Sequence, residues 1–148
     1  MKKSWFTLMI AAGLGAMTMA TTATAAVSVS QLKGELKAGQ YANVIKEVNT
    51  ALPQSTPVLA AALYMVKGEA LVGEKKFTDA ALAYLRVPFC YPQAFGAPEA
   101  LLRAAQIEAR QLKDPAAAVR ILQQLVRTYP RTVQALQAKH LLAGHLRK

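Results

Sequence analysis

The sequence predicts an all-α fold, an α-solenoid of antiparallel helix pairs, and three observations lead there. Tyr41, Val44, Val48 and Ala51 are spaced 3, 4, 3, which places them on one face of a helix. Phe77, Ala80, Tyr84 and Val87 repeat that spacing 36 residues later, and Pro115, Ala118, Leu122 and Leu125 repeat it after a further 38. A period of this size carried by helical faces marks stacked helix pairs, because one such unit cannot bury its apolar face alone. The two later copies also end alike, in Tyr91-Pro92 and Tyr129-Pro130, each proline five residues past the last face position. Proline cannot continue a helix, so both mark a turn.

The elements follow in chain order. Residues 27–38 form a first helix, closed by Gly39, and residues 41–51 form its partner. Thr56 is suited to cap a third helix, with Pro57 at its first position and residues 58–72 carrying Tyr64, Gly68 and Leu71. Phe77 opens the fourth. Residues 88–98 hold three prolines and Gly96 and are predicted to be an extended loop between the second and third pairs. Residues 98–112 form the fifth helix, with Leu102, Ala105 and Ala109 facing inward. Asp114-Pro115 repeats the cap-plus-proline signal and opens the sixth helix. Thr132 caps a seventh, residues 133–146, which has no partner after it. The result is seven helices and no strand, about three pairs plus a C-terminal capping helix.

Residues 1–25 read as a cleavable secretory signal peptide. Lys2 and Lys3 form a positive start, and residues 5–20 form an apolar stretch interrupted by Gly13 and Gly15. A run of small residues follows, containing Ala23-Thr24-Ala25, the pattern a signal peptidase accepts. The stretch is short against the ~20 residues of a spanning helix, which favours cleavage over an anchor. Cleavage after Ala25 leaves residues 26–148 as one domain of 123 residues. With 53% apolar residues, the chain has enough to bury to offset the entropy of ordering, which argues against wholesale disorder. A single cysteine, Cys90, excludes a disulfide scaffold.

Loss of Lys2 and Lys3 takes the net charge from +10 to +8, and the remainder is uneven. Residues 26–98 carry seven basic and five acidic side chains; residues 99–148 carry nine and three. Basicity therefore belongs to the last helices, where an acidic partner is to be sought first.

The residues that could do chemistry are sparse, so no catalytic residue, metal site or cofactor is predicted. The only aspartates of the exported chain, Asp79 and Asp114, both sit where helices start. His140 and His145 are five apart, about 140° round a helix, and do not share a face as zinc ligands at i, i+4 would. Cys90 has no nearby histidine to activate it. Between Phe89, Tyr91 and Phe95 it is expected to be a buried or tolerated thiol, or else to pair with another chain in an oxidising compartment.

Residues 61–92 resemble a tetratricopeptide repeat (TPR). Tyr64 stands at the first aromatic position, Gly68 at the small-residue position and Leu71 at the next core position. Phe77 opens the second helix, followed by Ala80, Tyr84 and the terminal Pro92. Residues 99–130 fit more loosely, with Leu102, Gln106 and Pro115 at the aromatic, glycine and aromatic positions; residues 27–57 keep only Gly39, Tyr41 and Ala51 in register. Terminal repeats are expected to be atypical because they cap the stack. The run from Ala117 through Tyr129-Pro130-Arg131-Thr132 to His140-Leu141-Leu142 is similar to the terminal repeats of Tol-Pal-associated periplasmic cell-division coordinators. It is more distantly similar to the TPR-like lipoprotein of the outer-membrane barrel-assembly machinery. What these groups share, and what the resemblance implies here, is a right-handed solenoid acting as a periplasmic adaptor between proteins of the bacterial cell envelope.

In the family, the first helix of each pair lines a concave surface that binds peptides or partner helices. Carried onto this chain, its inward positions are Met65, Glu69 and Val72 in one pair and Arg103, Ile107 and Arg110 in the next, with Lys139 extending the row. The resemblance thus implies a protein or peptide partner in a groove with a basic floor, and arginine presents a fork suited to an acidic side chain or a C-terminal carboxylate. Two alternatives stand beside it: a binder of an anionic polymer or lipid surface through the basic C-terminal helices, and a homo-oligomer formed over Leu136, Leu141 and Leu142. Export and the lack of a basic stripe interleaved with aromatics argue against nucleic acid. After signal cleavage, no stable membrane insertion is expected.

Overall fold

The computed structural model describes residues 27–145, so the signal-peptide reading of residues 1–25 lies outside the described residues. Seven α-helices follow one another: α1 (Val29–Lys37), α2 (Tyr41–Ala51), α3 (Pro57–Gly73), α4 (Phe77–Cys90), α5 (Ala97–Arg110), α6 (Pro115–Thr128) and α7 (Val133–His145). A short 3-10 turn, Leu52–Gln54, extends α2, and the described residues contain no strand. Each helix packs on the next, with α3 on α4, α4 on α5 and α5 on α6 most extensively. Packing in sequence order is the arrangement of a helical repeat.

Local signals set the helix starts. Thr56 accepts a bond from the Leu59 amide through Oγ1, Asp114 accepts one from the Ala117 amide at 2.8 Å, and Thr132 accepts one from the Ala135 amide at 3.2 Å. Each satisfies a backbone donor that the first helical turn leaves without a partner. Pro57 and Pro115 stand in first turns, where a missing N–H costs nothing.

The repeat is also written in the backbone. Gly39, Lys75 and Lys113, each in the turn inside a helix pair, have φ of 75°, 60° and 59°. They are separated by 36 and 38 residues, the period of the apolar faces. In the first two turns the next amide closes the helix end, Gln40 onto the Glu35 carbonyl and Lys76 onto that of Leu71. This is the left-handed C-terminal closure that glycine adopts without strain and lysine does not.

Three cores run along the solenoid. Leu32, Val44, Val48, Leu63, Val66 and Ala70 fill the first. Tyr84, Val87, Ala100 and Ala104 lie in the second, and Leu101, Leu102, Leu122, Leu125 and Ala138 in the third. Two glycines let helices approach closely: a Cβ on Gly68 would lie 2.7 Å from the Tyr84 ring, and one on Gly73 2.5 Å from that of Tyr41.

Three expectations are corrected. The loop predicted for residues 88–98 spans only 91–96, because Pro88 sits in the last turn of α4, buried beside Val87, and Pro98 in the first turn of α5. So near the end of α4 the missing N–H interrupts the ladder only locally. Ala109 is exposed, whereas Leu102 and Ala105 are buried as expected. Cys90 is exposed rather than buried, as are Phe89 and Phe95, because no element among the described residues covers the short loop, and a tolerated thiol or pairing with another chain stays open.

Candidate functional site

A break in the packing creates the site. α1 packs on α3 and α5 on α7, but α3 and α5 share no comparable contact. The connector from α4 to α5, residues 91–96, is the longest that joins two pairs, and its residues line the gap between α3 and α5. The result is a groove of about 780 Å³, within the range that holds a small ligand or a peptide side chain.

Its walls come from three elements. α3 presents Val58, Ala61, Ala62, Met65 and Glu69, whose 3–4 spacing keeps them on one side of the helix. The small side chains of Ala61 and Ala62 leave the space open, and a Cβ at Gly96 would lie 3.5 Å from Met65 Cγ, in ordinary contact. Val29 and Lys33 of α1 close one side, and Tyr91, Phe95 and Cys90 form the rim. Phe95 is fully exposed and Val58 83% exposed, so apolar surface stands open to water at the mouth.

Glu69 and Arg103, which line the groove, belong to a polar chain across three helices. Arg103 Nε donates to Glu99 Oε1 at 2.8 Å, one turn earlier on α5, and its Nη1 lies 3.5 Å from Glu69 Oε1 on α3. Glu99 Oε2 in turn accepts from Gln134 Nε2 on α7 at 3.3 Å. The Arg103 guanidinium sits 6.0 Å from the centre of the Tyr84 ring, a cation–π distance. Burial works against the Arg103 charge, but the bond to Glu99 and the charge of Glu69 outweigh it and hold its pKa above the ordinary value. Burial pushes the Tyr84 hydroxyl up to about 12, with Arg103 pulling the other way. Beyond this chain a second groove of about 550 Å³ continues along α3 and α5, lined by Val72, Gln106, Ile107, Arg110 and Gln111.

Six of the seven residues singled out from the sequence thus line two adjoining grooves: Met65, Glu69 and Arg103 the first, and Glu69, Val72, Arg103, Ile107 and Arg110 the second. Ile107 is buried and offers little surface to a partner. Lys139 lies exposed on α7 and lines neither groove.

The expectation of a basic floor changes. Arg103 is answered by two carboxylates, so the free positive groups are Lys33 at one end and Arg110 at the other, neither in an ion pair among the described residues. Glu99 and Arg103 are i, i+4 on one helix, a pairing visible in the sequence; Glu69 comes from another helix and is not. The rim residues Phe95 and Cys90 carry no periodic signal. No group of three or more His, Cys, Asp and Glu side chains converges to hold a metal ion among the described residues. None of the described helices is long and apolar enough to cross a membrane. No protein-family model matches the chain, and no curated protein matches it significantly.

Proposed function

We infer that this chain is an exported, TPR-like adaptor of the bacterial envelope, without catalytic activity, that holds a segment of a partner protein in the groove between α3 and α5. The observation that carries the reading is the groove itself, an apolar cleft of about 780 Å³ at the one joint where successive first helices part. Such a cleft takes a large apolar side chain, and Lys33 on its wall and Arg110 in the adjoining groove favour an acidic residue or a chain-terminal carboxylate beside it. Export is supported by the charged start, apolar stretch and Ala23-Thr24-Ala25 tail, and gives the adaptor a periplasmic or extracellular setting.

Two experiments test this. The intact mass of the chain recovered after export should correspond to residues 26–148; retention of residues 1–25 would remove the basis for a soluble periplasmic adaptor. A random peptide library panned on the chain should yield peptides with an apolar anchor next to an acidic residue, lost on Met65→Glu or Arg110→Glu. Peptides that bind both variants as well as the parent would overturn the groove.

A further inference from the structure

A second surface, at the α6–α7 turn and along α7, is unused by the grooves: none of Arg127, Arg131, Val133, Leu136 or Lys139 lines either cleft. Residues 115–148 contain no Asp or Glu at all. Arg127, Arg131 and Lys139 are exposed and make no ion pair among the described residues. Val133 and Leu136 point away from the buried Ala135 and Ala138 along α7, and Lys139, one turn past Ala135, stands at the edge of that exposed side. Val133 is 69% and Leu136 57% exposed, so apolar and cationic side chains share one face of the helix.

From this placement we propose that the α6–α7 corner and the exposed face of α7 dock on an anionic lipid bilayer. The cations meet the headgroups, and Val133 and Leu136 enter the boundary between headgroups and acyl chains. The charge pattern favours this occupant over the alternatives. A second copy docking through the same patch would set the cations of one patch against those of the other, with no Asp or Glu in residues 115–148 to neutralise them. A polyanion in free solution would leave Val133 and Leu136 without a role.

The test is flotation of the purified exported chain with vesicles of phosphatidylcholine alone and of phosphatidylcholine mixed with phosphatidylglycerol. Binding is expected only to the anionic vesicles, weakening as salt screens the headgroups. The double substitution Arg131→Gln/Lys139→Gln should reduce it by about 25-fold, about fivefold per cation. Leu136→Ser should reduce it by about fivefold and leave the remainder wholly salt-sensitive. The double substitution Lys37→Gln/Lys46→Gln removes the same net charge from the exposed surface of α1 and α2, and should leave binding within about twofold of the parent. Equal binding to neutral vesicles, an equal loss from the Lys37/Lys46 control, or undiminished binding of Leu136→Ser would overturn the proposal. So would a dimer in sedimentation that Leu136→Ser dissolves, coupled with no flotation, since the occupant would then be a second copy.

Discussion

Gly68→Ala is predicted to destabilise the chain although alanine is the better helix former. Gly68 faces Tyr84 across the α3–α4 interface, and an added Cβ would lie 2.7 Å from Cε1 and Cζ of that ring. Tyr84 is only 1% exposed and packed in the central core, so neither ring nor helix can yield cheaply. Relieving such an overlap in a packed core costs about 1–3 kcal/mol. The gain in helix propensity from glycine to alanine is about 1 kcal/mol. The overlap wins in most of that range, for a net loss of up to about 2 kcal/mol and a Tm lower by up to about 8 °C. Gly34→Ala is the matched control: a Cβ there meets nothing within 4 Å, and the residue lies in the middle of α1. It should raise stability by up to about 1 kcal/mol. Thermal and urea unfolding followed by far-UV circular dichroism would measure both. The close-packing argument is refuted if Gly68→Ala melts at or above the parent, or if the two substitutions shift stability in the same direction.

Further predictions concern the turns and the buried tyrosine. Lys75→Gly and Lys113→Gly should each stabilise by about 0.5–1 kcal/mol by relieving a left-handed backbone, whereas Gly39→Ala should destabilise by about 1 kcal/mol; urea midpoints would show the opposite signs. The pKa of Tyr84 is raised on folding from 10.0 to about 12, so the fold favours its neutral form. That contribution is complete below pH 10 and is lost as pH rises through about 12, a change of about 2–3 kcal/mol. Urea midpoints across that window should fall more steeply in the parent than in Tyr84→Phe, and parallel curves would contradict the assignment.

What the sequence discloses depends on how local the cause is. The caps at Thr56, Asp114 and Thr132 are legible because each bond closes within three residues. The helix starts at Tyr41, Phe77 and Pro115 are legible because the apolar face repeats. Pro88 misleads, since a proline in the last turn of a helix and one in a loop look alike without knowing where the core lies. Phe89, Phe95 and Cys90 mislead in the opposite way: their composition says bury, but no element among the described residues covers them. The row from Met65 to Arg110 is legible only through the resemblance, which gives a direction for side chains and not their partners. That Arg103 is tied to Glu69 depends on how α3 and α5 both pack on α4, which no local spacing in the sequence discloses.

The account rests on the groove between α3 and α5 being the surface that meets a partner. Photo-crosslinking side chains placed singly at positions 65, 72 and 110, inside the two grooves, and at 46 and 123, on exposed faces of α2 and α6 away from them, would test it in the exporting cell. The groove positions should form adducts that map to one contiguous segment of one envelope protein, with none from 46 or 123. Adducts from the outer positions alone, or groove positions that capture nothing while the outer ones do, would contradict it.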